Sequence, residues 1–157
     1  MRVGTGYDVH PFAEGRKLVL GGVLFDGETG LAGHSDGDAL SHAIVDALLG
    51  AAALGDIGMH FSSGDPRLQG ADSIDLLKQV VKLIAAAGLV IVNVDATVIA
   101  ERPRVAPHVA EMRRRLAGAL GVQTSQVSVK ATTTDGLGAI GRGEGIAVQA
   151  IALLEEA

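Results

Sequence analysis

Apolar positions along this chain change period several times, and each change marks an element. Residues 2–9 read as a strand, and 17–24 (KLVLGGVL) as a second strand in which Gly21-Gly22 predicts a bulge or a close backbone approach. A glycine-rich acidic loop follows. Leu40, Ile44, Val45, Leu48 and Leu49 then recur at helical spacing, predicting a helix over 39–53 with Ser35, Asp36 and Asp38 as capping candidates. Its small residues Ala47 and Ala51 to Ala53 allow close packing, and Gly55 is expected to end it. A second helix starts behind Asp72 or Ser73 as N-cap, carries Leu76, Leu77, Val80, Val81 and Ile84 inward, and stops at Gly88. The β-branched run 89–100 reads as a strand. Pro103 and Pro107 punctuate the next turn, 108–120 reads as a third helix closed by Gly121, and 126–134 and 145–154 read as strands. The sum is an α/β fold of the α+β type: a single domain over 1–157, with a four-stranded mixed sheet plus a small hairpin and helices packed on one face. Nothing repeats internally.

Composition narrows the function classes. With 157 residues, 48% of them hydrophobic, the chain holds a sizeable core. A net charge of -5 and the lack of a long Lys/Arg run argue against a nucleic-acid surface, and Arg113 to Arg115 read as a solvated helix face. Aromatic residues make up 3% and Trp is absent, so no stacking platform for single strands is expected. No stretch approaches the ~20 apolar residues of a membrane span and the N-terminus lacks an apolar signal core, so a cytoplasmic protein is expected. With zero Cys, any metal must rest on His and carboxylates.

Asp8 and His10 in MRVGTGYDVH answer to that description. Side chains at i and i+2 of an extended segment leave the same face, so the two converge on one point. His42, near the start of the first helix, can face that strand. One carboxylate with two imidazoles and no thiol fits a zinc ion that keeps a fourth position open for substrate or water. Asp38 lies one turn before His42 and Asp46 one turn after it, so either could accept the free imidazole N–H. Spacing alone leaves open which of the five His, at 10, 34, 42, 60 and 108, meet in space.

Two polar clusters add to this. GDIGMHFSSGDP at 55–66 is a loop whose backbone N–H groups and hydroxyls suit a polar ligand. The run KATTTD at 130–135 places hydroxyls and an acid at a strand end, where they suit phosphate oxygens and Mg²⁺, although a Thr run is also ordinary in a strand. GRGEG at 141–145 resembles a phosphate loop only superficially, since GxxxxGK[ST] and GxGxxG are both missing.

Seven ordered blocks together are more specific than any one of them. GYDVH at 6–10, HSDGD at 34–38, DALLGAAALGDIG at 46–58, GADS at 70–73, NVDATVIAERPR at 93–104, KATTTDGLG at 130–138 and GRGEGIA at 141–147 closely resemble the 2-C-methyl-D-erythritol 2,4-cyclodiphosphate synthase family over essentially the whole chain. That resemblance implies a phosphorus-oxygen lyase of the non-mevalonate isoprenoid pathway. It would cyclise 4-diphosphocytidyl-2-C-methyl-D-erythritol 2-phosphate and release CMP.

The resemblance also implies roles for particular residues. Zinc would sit on Asp8, His10 and His42, with a β-phosphate oxygen as fourth ligand. His34 and Thr133 would stabilise the transition state, and Ser35 would bind substrate. Asp56, Ile57 and Gly58 would hold the methylerythritol part, and Phe61, Ser62 and Asp65 belong to the loop that meets the phosphates. The CDP pocket would comprise Ala100, Pro103, Arg104 and Ala106 with Ala131, Thr132 and Thr133, partly from a neighbouring subunit of a homotrimer with shared active sites. Thr134, Asp135, Ala139 and Arg142 complete the substrate set, and Mg²⁺ or Mn²⁺ bridging the substrate phosphates would use Asp135. Arg142 and Glu144 would approach the threefold axis, where relatives have a cavity that accepts prenyl diphosphates.

The inventory suits such chemistry, because the nucleophile is the substrate's own 2-phosphate, dianionic near neutral pH, and no protein nucleophile is required. Three departures stand out. Relatives often carry an acid at the position of Ser63 and Glu at that of Asp135, and some place Phe at that of Ala139. Set against the family pattern, the shorter Asp135 would reach magnesium through water, and the small Ala139 would widen or reshape the threefold cavity, which argues against prenyl diphosphate binding there. A zinc-dependent phosphoesterase and a non-catalytic binding module for a diphosphate lipid are the competing classes. HSDGD and KATTTDGLG occurring with the metal ligands favour the synthase.

Overall fold

In the computed structural model, which describes residues 1–157, β1 (Arg2–Leu20) and β2 (Val23–Leu31) are followed by α1 (Ala39–Ala52), α2 (Ile57–His60), α3 (Ser73–Ala86) and β3 (Leu89–Ile99). Then come α4 (Val109–Leu120), β4 (Val127–Thr132), α5 (Gly138–Gly141) and β5 (Gly145–Glu156), with 3₁₀ turns at Pro66–Leu68, Ala106–His108 and Thr124–Gln126. The sheet order is β2-β1-β5-β3-β4. Every neighbouring pair is antiparallel except β3 and β4, which α4 joins as a parallel crossover. The sheet is mixed, as expected, but it has five strands.

The difference from four strands beside a hairpin lies in β1. One continuous strand pairs with β5 through Arg2 to Pro11 and then with β2 from Phe12 to Leu20, so the hairpin is a continuation of the sheet's own strand. Pro11 costs nothing in this arrangement because it sits where β1 leaves β5, at the last pair of that ladder. Gly21-Gly22 is likewise not a bulge within a strand. Leu20 pairs with Val23, and the two glycines, at φ 56° and 71°, form the two-residue turn whose positive φ values match the twist of the strands.

The helices cover one face: α1 lies across β1 and β5, with α3 and α4 beside it. α1 comes unusually close to β1. A Cβ added at Gly6 would stand 1.9 Å from the Ala43 carbonyl oxygen, and one at Gly4 2.1 Å from that of Ala47. Glycines on the strand and alanines on the helix thus bring two backbones into contact. The core is one continuous cluster, in which Leu40, Ile44, Leu48 and Leu49 of α1 are fully buried. The α1 N-cap is Asp38, whose side chain accepts from Ser41 N, and Asp72 caps α3 by accepting from Ile74 N. α1 stops at Ala53 in the left-handed region rather than at Gly55, whereas α4 ends at Gly121 as expected. No helix is long and apolar enough to cross a membrane.

The opposite face of the sheet is exposed. Val3 (69%), Tyr7 (60%) and Val9 (50%) of β1 stand beside Ile151 (45%) of β5, an apolar stripe without cover. Arg113 to Arg115 are more engaged than a solvated face: Arg113 donates to the Val127 and Thr124 carbonyls, and Arg115 to Glu111 and to the Gly22 carbonyl in the hairpin turn.

Candidate metal centre and the clefts beside it

The close α1–β1 contact sets the geometry of the site. Asp8 and His10 point from β1 toward α1, and His42, in its first turn, reaches back to them. Asp8 Oδ2 lies 2.7 Å from His10 Nε2 and 3.2 Å from His42 Nδ1, and the two imidazole nitrogens are 3.3 Å apart. All three ligand atoms fall within 4.8 Å of one another, so the expected trio is assembled as a divalent-metal-binding group.

The remaining ring nitrogens test whether a cation fits. His10 Nδ1 is 2.5 Å from the Ala32 carbonyl, which can only accept, so that nitrogen carries a proton and Nε2 is left for a metal. His42 turns Nε2 to Ser73 Oγ at 2.8 Å and Ser35 Oγ at 3.0 Å, leaving Nδ1 inward. Lone pairs of two imidazoles and a carboxylate therefore converge, an arrangement that a cation stabilises. Burial alone pushes the Asp8 carboxyl up, but hydrogen bonds and charge from His10 and His42 outweigh it and hold Asp8 well below the usual carboxylate range. The same Asp8 contact raises His10 above 6.5.

Neither acid expected behind His42 is there. Asp38 is buried and faces the other way, accepting from Gly21 N and Gly22 N at 2.8 Å each and from Ser41 N and Oγ. It ties the hairpin turn to the start of α1, and burial pushes its carboxyl up. Asp46 accepts from Ile57 N at 2.8 Å and anchors α2. The partner is Ser73, which in turn donates to Asp36 Oδ1 at 2.5 Å. Helical spacing directed attention to α1, whereas the contact comes from α3, 31 residues away in sequence.

Around the trio opens a cleft of about 240 Å³, lined by Asp8, His10, His34, Ser35, His42, Ile57, Gly58, Phe61, Ser63, Leu68 and Leu76. His34, Ser35, Ile57, Gly58 and Phe61 are thus brought together with the metal ligands. The 55–66 segment is partly helical: Asp56 caps α2 by accepting from Met59 N, which turns Gly58 toward the cleft. His34 Nε2 lies 2.8 Å from the Asp65 carbonyl oxygen, holding the 61–65 loop over the site. Ser62 and Asp65 do not line the cleft, and the Asp65 carboxylate is engaged by Arg67 at 2.7 Å, which holds it down at about 2.

Thr133 lies elsewhere. With Ala100, Glu101, Pro103, Arg104, Val105, Ala106, Ala131 and Thr132 it lines a second cleft of about 350 Å³, separate from the first within one chain. Glu101, which sequence reasoning passed over, is the anchor of the adjoining loop: its Oε1 accepts from Thr134 N at 3.0 Å, Thr134 Oγ1 at 3.3 Å and Gly136 N at 3.4 Å. In that loop Asp135 takes φ 54° and its N–H donates to Thr133 Oγ1 at 3.2 Å. Lys130 reaches away to Asp95, and Arg142 pairs with Glu144 at 2.6 Å, next to Ala139 on the one-turn helix α5.

A family profile described as the YgbB family matches residues 1–155. The 2-C-methyl-D-erythritol 2,4-cyclodiphosphate synthase of Moorella thermoacetica is 60% identical over 154 residues, covering 98% of this chain and 94% of that protein. Among solved structures, the bifunctional IspDF from Campylobacter jejuni superimposes with a TM-score of 0.96 at 41% identity over 99% of this chain, which spans 42% of that longer one. The CDP complex of IspF from Plasmodium falciparum has a TM-score of 0.86 at 35% identity, covering 99% of this chain and 96% of that one.

Proposed function

The chain belongs to the YgbB family, the 2-C-methyl-D-erythritol 2,4-cyclodiphosphate synthases, and from that premise we propose how its own residues perform the reaction. The enzyme cyclises 4-diphosphocytidyl-2-C-methyl-D-erythritol 2-phosphate to the 2,4-cyclodiphosphate in the isoprenoid pathway and releases CMP. In the proposed mechanism an oxygen of the substrate's 2-phosphate attacks the β-phosphorus. A P–O–P bond forms within the ring, and the bond from the β-phosphorus to the oxygen bridging to the α-phosphate breaks, with CMP carrying that oxygen away. The 2-phosphate, with a second pKa of about 6, is mostly dianionic at neutral pH and needs no protein base.

The observation that carries this reading is the convergence of Asp8, His10 and His42, with the other nitrogen of each imidazole already engaged elsewhere. Zinc on that trio, and magnesium on Asp135 and the substrate phosphates, would draw charge off the phosphate oxygens when bound. His34 and Ser35, beside the trio, bind the phosphate end, and Ile57 and Gly58 hold the methylerythritol part, with Asp56 shaping their turn. The cleft from Ala100 to Ala106 and Ala131 to Thr133 receives the cytidine part, with Arg104 near its phosphates. Holding both ends of one molecule in reacting geometry supplies on the order of 7–11 kcal/mol of the barrier.

His34 and Thr133 line different clefts of one chain, which supports an active site built between subunits. The uncovered stripe of Val3, Tyr7, Val9 and Ile151 supports the same arrangement, a homotrimer whose sheets face one another. At its axis Arg142 is neutralised by Glu144, so a prenyl diphosphate binding there must first open that pair. The test is metal stoichiometry with turnover: one zinc per chain in the wild type, and loss of both zinc and cyclisation in His42→Ala. Full turnover by a zinc-free protein would refute the assignment.

A further inference from the structure

We propose that Asp36 and Ser73 form a relay behind His42 that fixes which of its ring nitrogens faces the metal. The inference rests on the metal site proposed above and follows from counting donors. The Asp36 carboxylate only accepts: Oδ1 takes the Ser73 hydroxyl at 2.5 Å and Asp38 N at 3.0 Å, and Oδ2 takes Ser73 N at 3.0 Å. The single hydroxyl proton of Ser73 is thereby spent. Toward His42 Nε2, 2.8 Å away, Ser73 Oγ is left as an acceptor, so Nε2 carries the proton and Nδ1 is bare. Nδ1 is the nitrogen 3.2 Å from Asp8 Oδ2 and 3.3 Å from His10 Nε2.

Burial makes the relay exclusive. Ser73 is fully buried and His42 is 8% exposed, so bulk water does not replace a missing partner. Ser35 Oγ, 3.0 Å from the same Nε2, shares the ring proton as a second acceptor, and its own hydroxyl can donate to Ser73 Oγ at 3.4 Å, which has spent its proton on Asp36. Asp36 and Ser73 do not line the cleft. They are positioning residues, acting on the metal through the orientation and tautomer of His42, as carboxylate partners do behind ligating histidines generally.

Two readouts test this without relying on turnover. Nitrogen-15 NMR of metal-free wild type at pH 8 is expected to show His42 protonated at Nε2, with a slowly exchanging downfield proton that disappears in Ser73→Ala. Chelator competition is expected to show zinc dissociation constants raised about 10- to 100-fold in Ser73→Ala and in Asp36→Asn. Asp36→Asn replaces one acceptor by a donor, so it disturbs the relay without opening a cavity and serves if Ser73→Ala does not fold. Wild-type His42 protonated at Nδ1, or folded variants that hold zinc within twofold of the wild type, would overturn the relay. A wild type that binds no zinc would instead overturn the metal site itself, while the ring spectrum still decides how His42 is protonated.

Discussion

Gly6→Ala probes the link between packing and chemistry, because the same backbone contact that seats α1 on β1 also sets the distance from His42 to Asp8. The added Cβ would lie 1.9 Å from the Ala43 carbonyl oxygen and 2.7 Å from Ala47 N, both backbone atoms that no rotamer change can move. Restoring an ordinary contact of 3.4 Å requires α1 to retreat by about 1.5 Å. Overpacking of this kind costs about 1–3 kcal/mol, which for a chain of this length lowers the melting temperature by roughly 2–12 °C. The functional effect is expected to be larger. His42 precedes Ala43 by one residue in the same turn, and metal sites tolerate about 0.5 Å of displacement, so zinc affinity should fall about tenfold or more. Scanning calorimetry of the metal-free protein and chelator competition measure the two effects. Gly118→Ala is the control: a Cβ there meets nothing within 4 Å and the position is helical, so stability should rise by about 0.5–1 kcal/mol with zinc binding unchanged. Gly6→Ala protein that melts like the wild type and binds zinc equally well would refute the argument.

Other expectations concern assembly and pH. His34→Ala and Thr133→Ala proteins should each be inactive, but after subunit exchange a one-to-one mixture should recover about a quarter of wild-type turnover, since a shared site then draws one intact residue from each chain. A mixture as inactive as its components would place both residues in one chain's site. Hydrogen bonds from Arg114, then Arg115, hold Glu111 down at about 2 against an unfolded value of 4.5, so its contribution is present above pH 4.5 and is lost as pH falls toward 2. Melting curves of wild type and Glu111→Gln should therefore differ most above pH 4.5 and converge on acidification; a constant gap would contradict the pairing.

The metal trio was legible because its geometry is local: i and i+2 on a strand share a face, and one helix start must lie on that face. What stands behind His42 was not, since Ser73 and Asp36 meet 37 residues apart through the packing of α3 against the HSDGD segment, which no local period records. Asp72 and Ser73 both read as candidate caps of α3, and Asp72 holds that role. The strands followed from their β-branched runs, whereas β1 read only as 2–9 with a separate strand from 17, because a strand that changes partners has no signature of its own. Gly21-Gly22 did carry a signal. A glycine pair between Leu20 and Val23, both core-facing, is a two-residue hairpin loop, and reading it inside a strand, as a bulge or a close backbone approach, placed the second strand too early. The separation of Thr133 from His34 had no sequence correlate, because it depends on the sheet order, which puts β4, ending just before Thr133, at the edge opposite β2, which leads to His34.

Phosphorus NMR of the purified protein with 4-diphosphocytidyl-2-C-methyl-D-erythritol 2-phosphate, zinc and magnesium, repeated after chelation, decides whether the chain is a metal-dependent cyclase. The cyclic diphosphate and CMP are expected in equal amounts, with no turnover once the metals are removed. Linear phosphate products, or cyclisation that continues undiminished in the chelated protein, would contradict it.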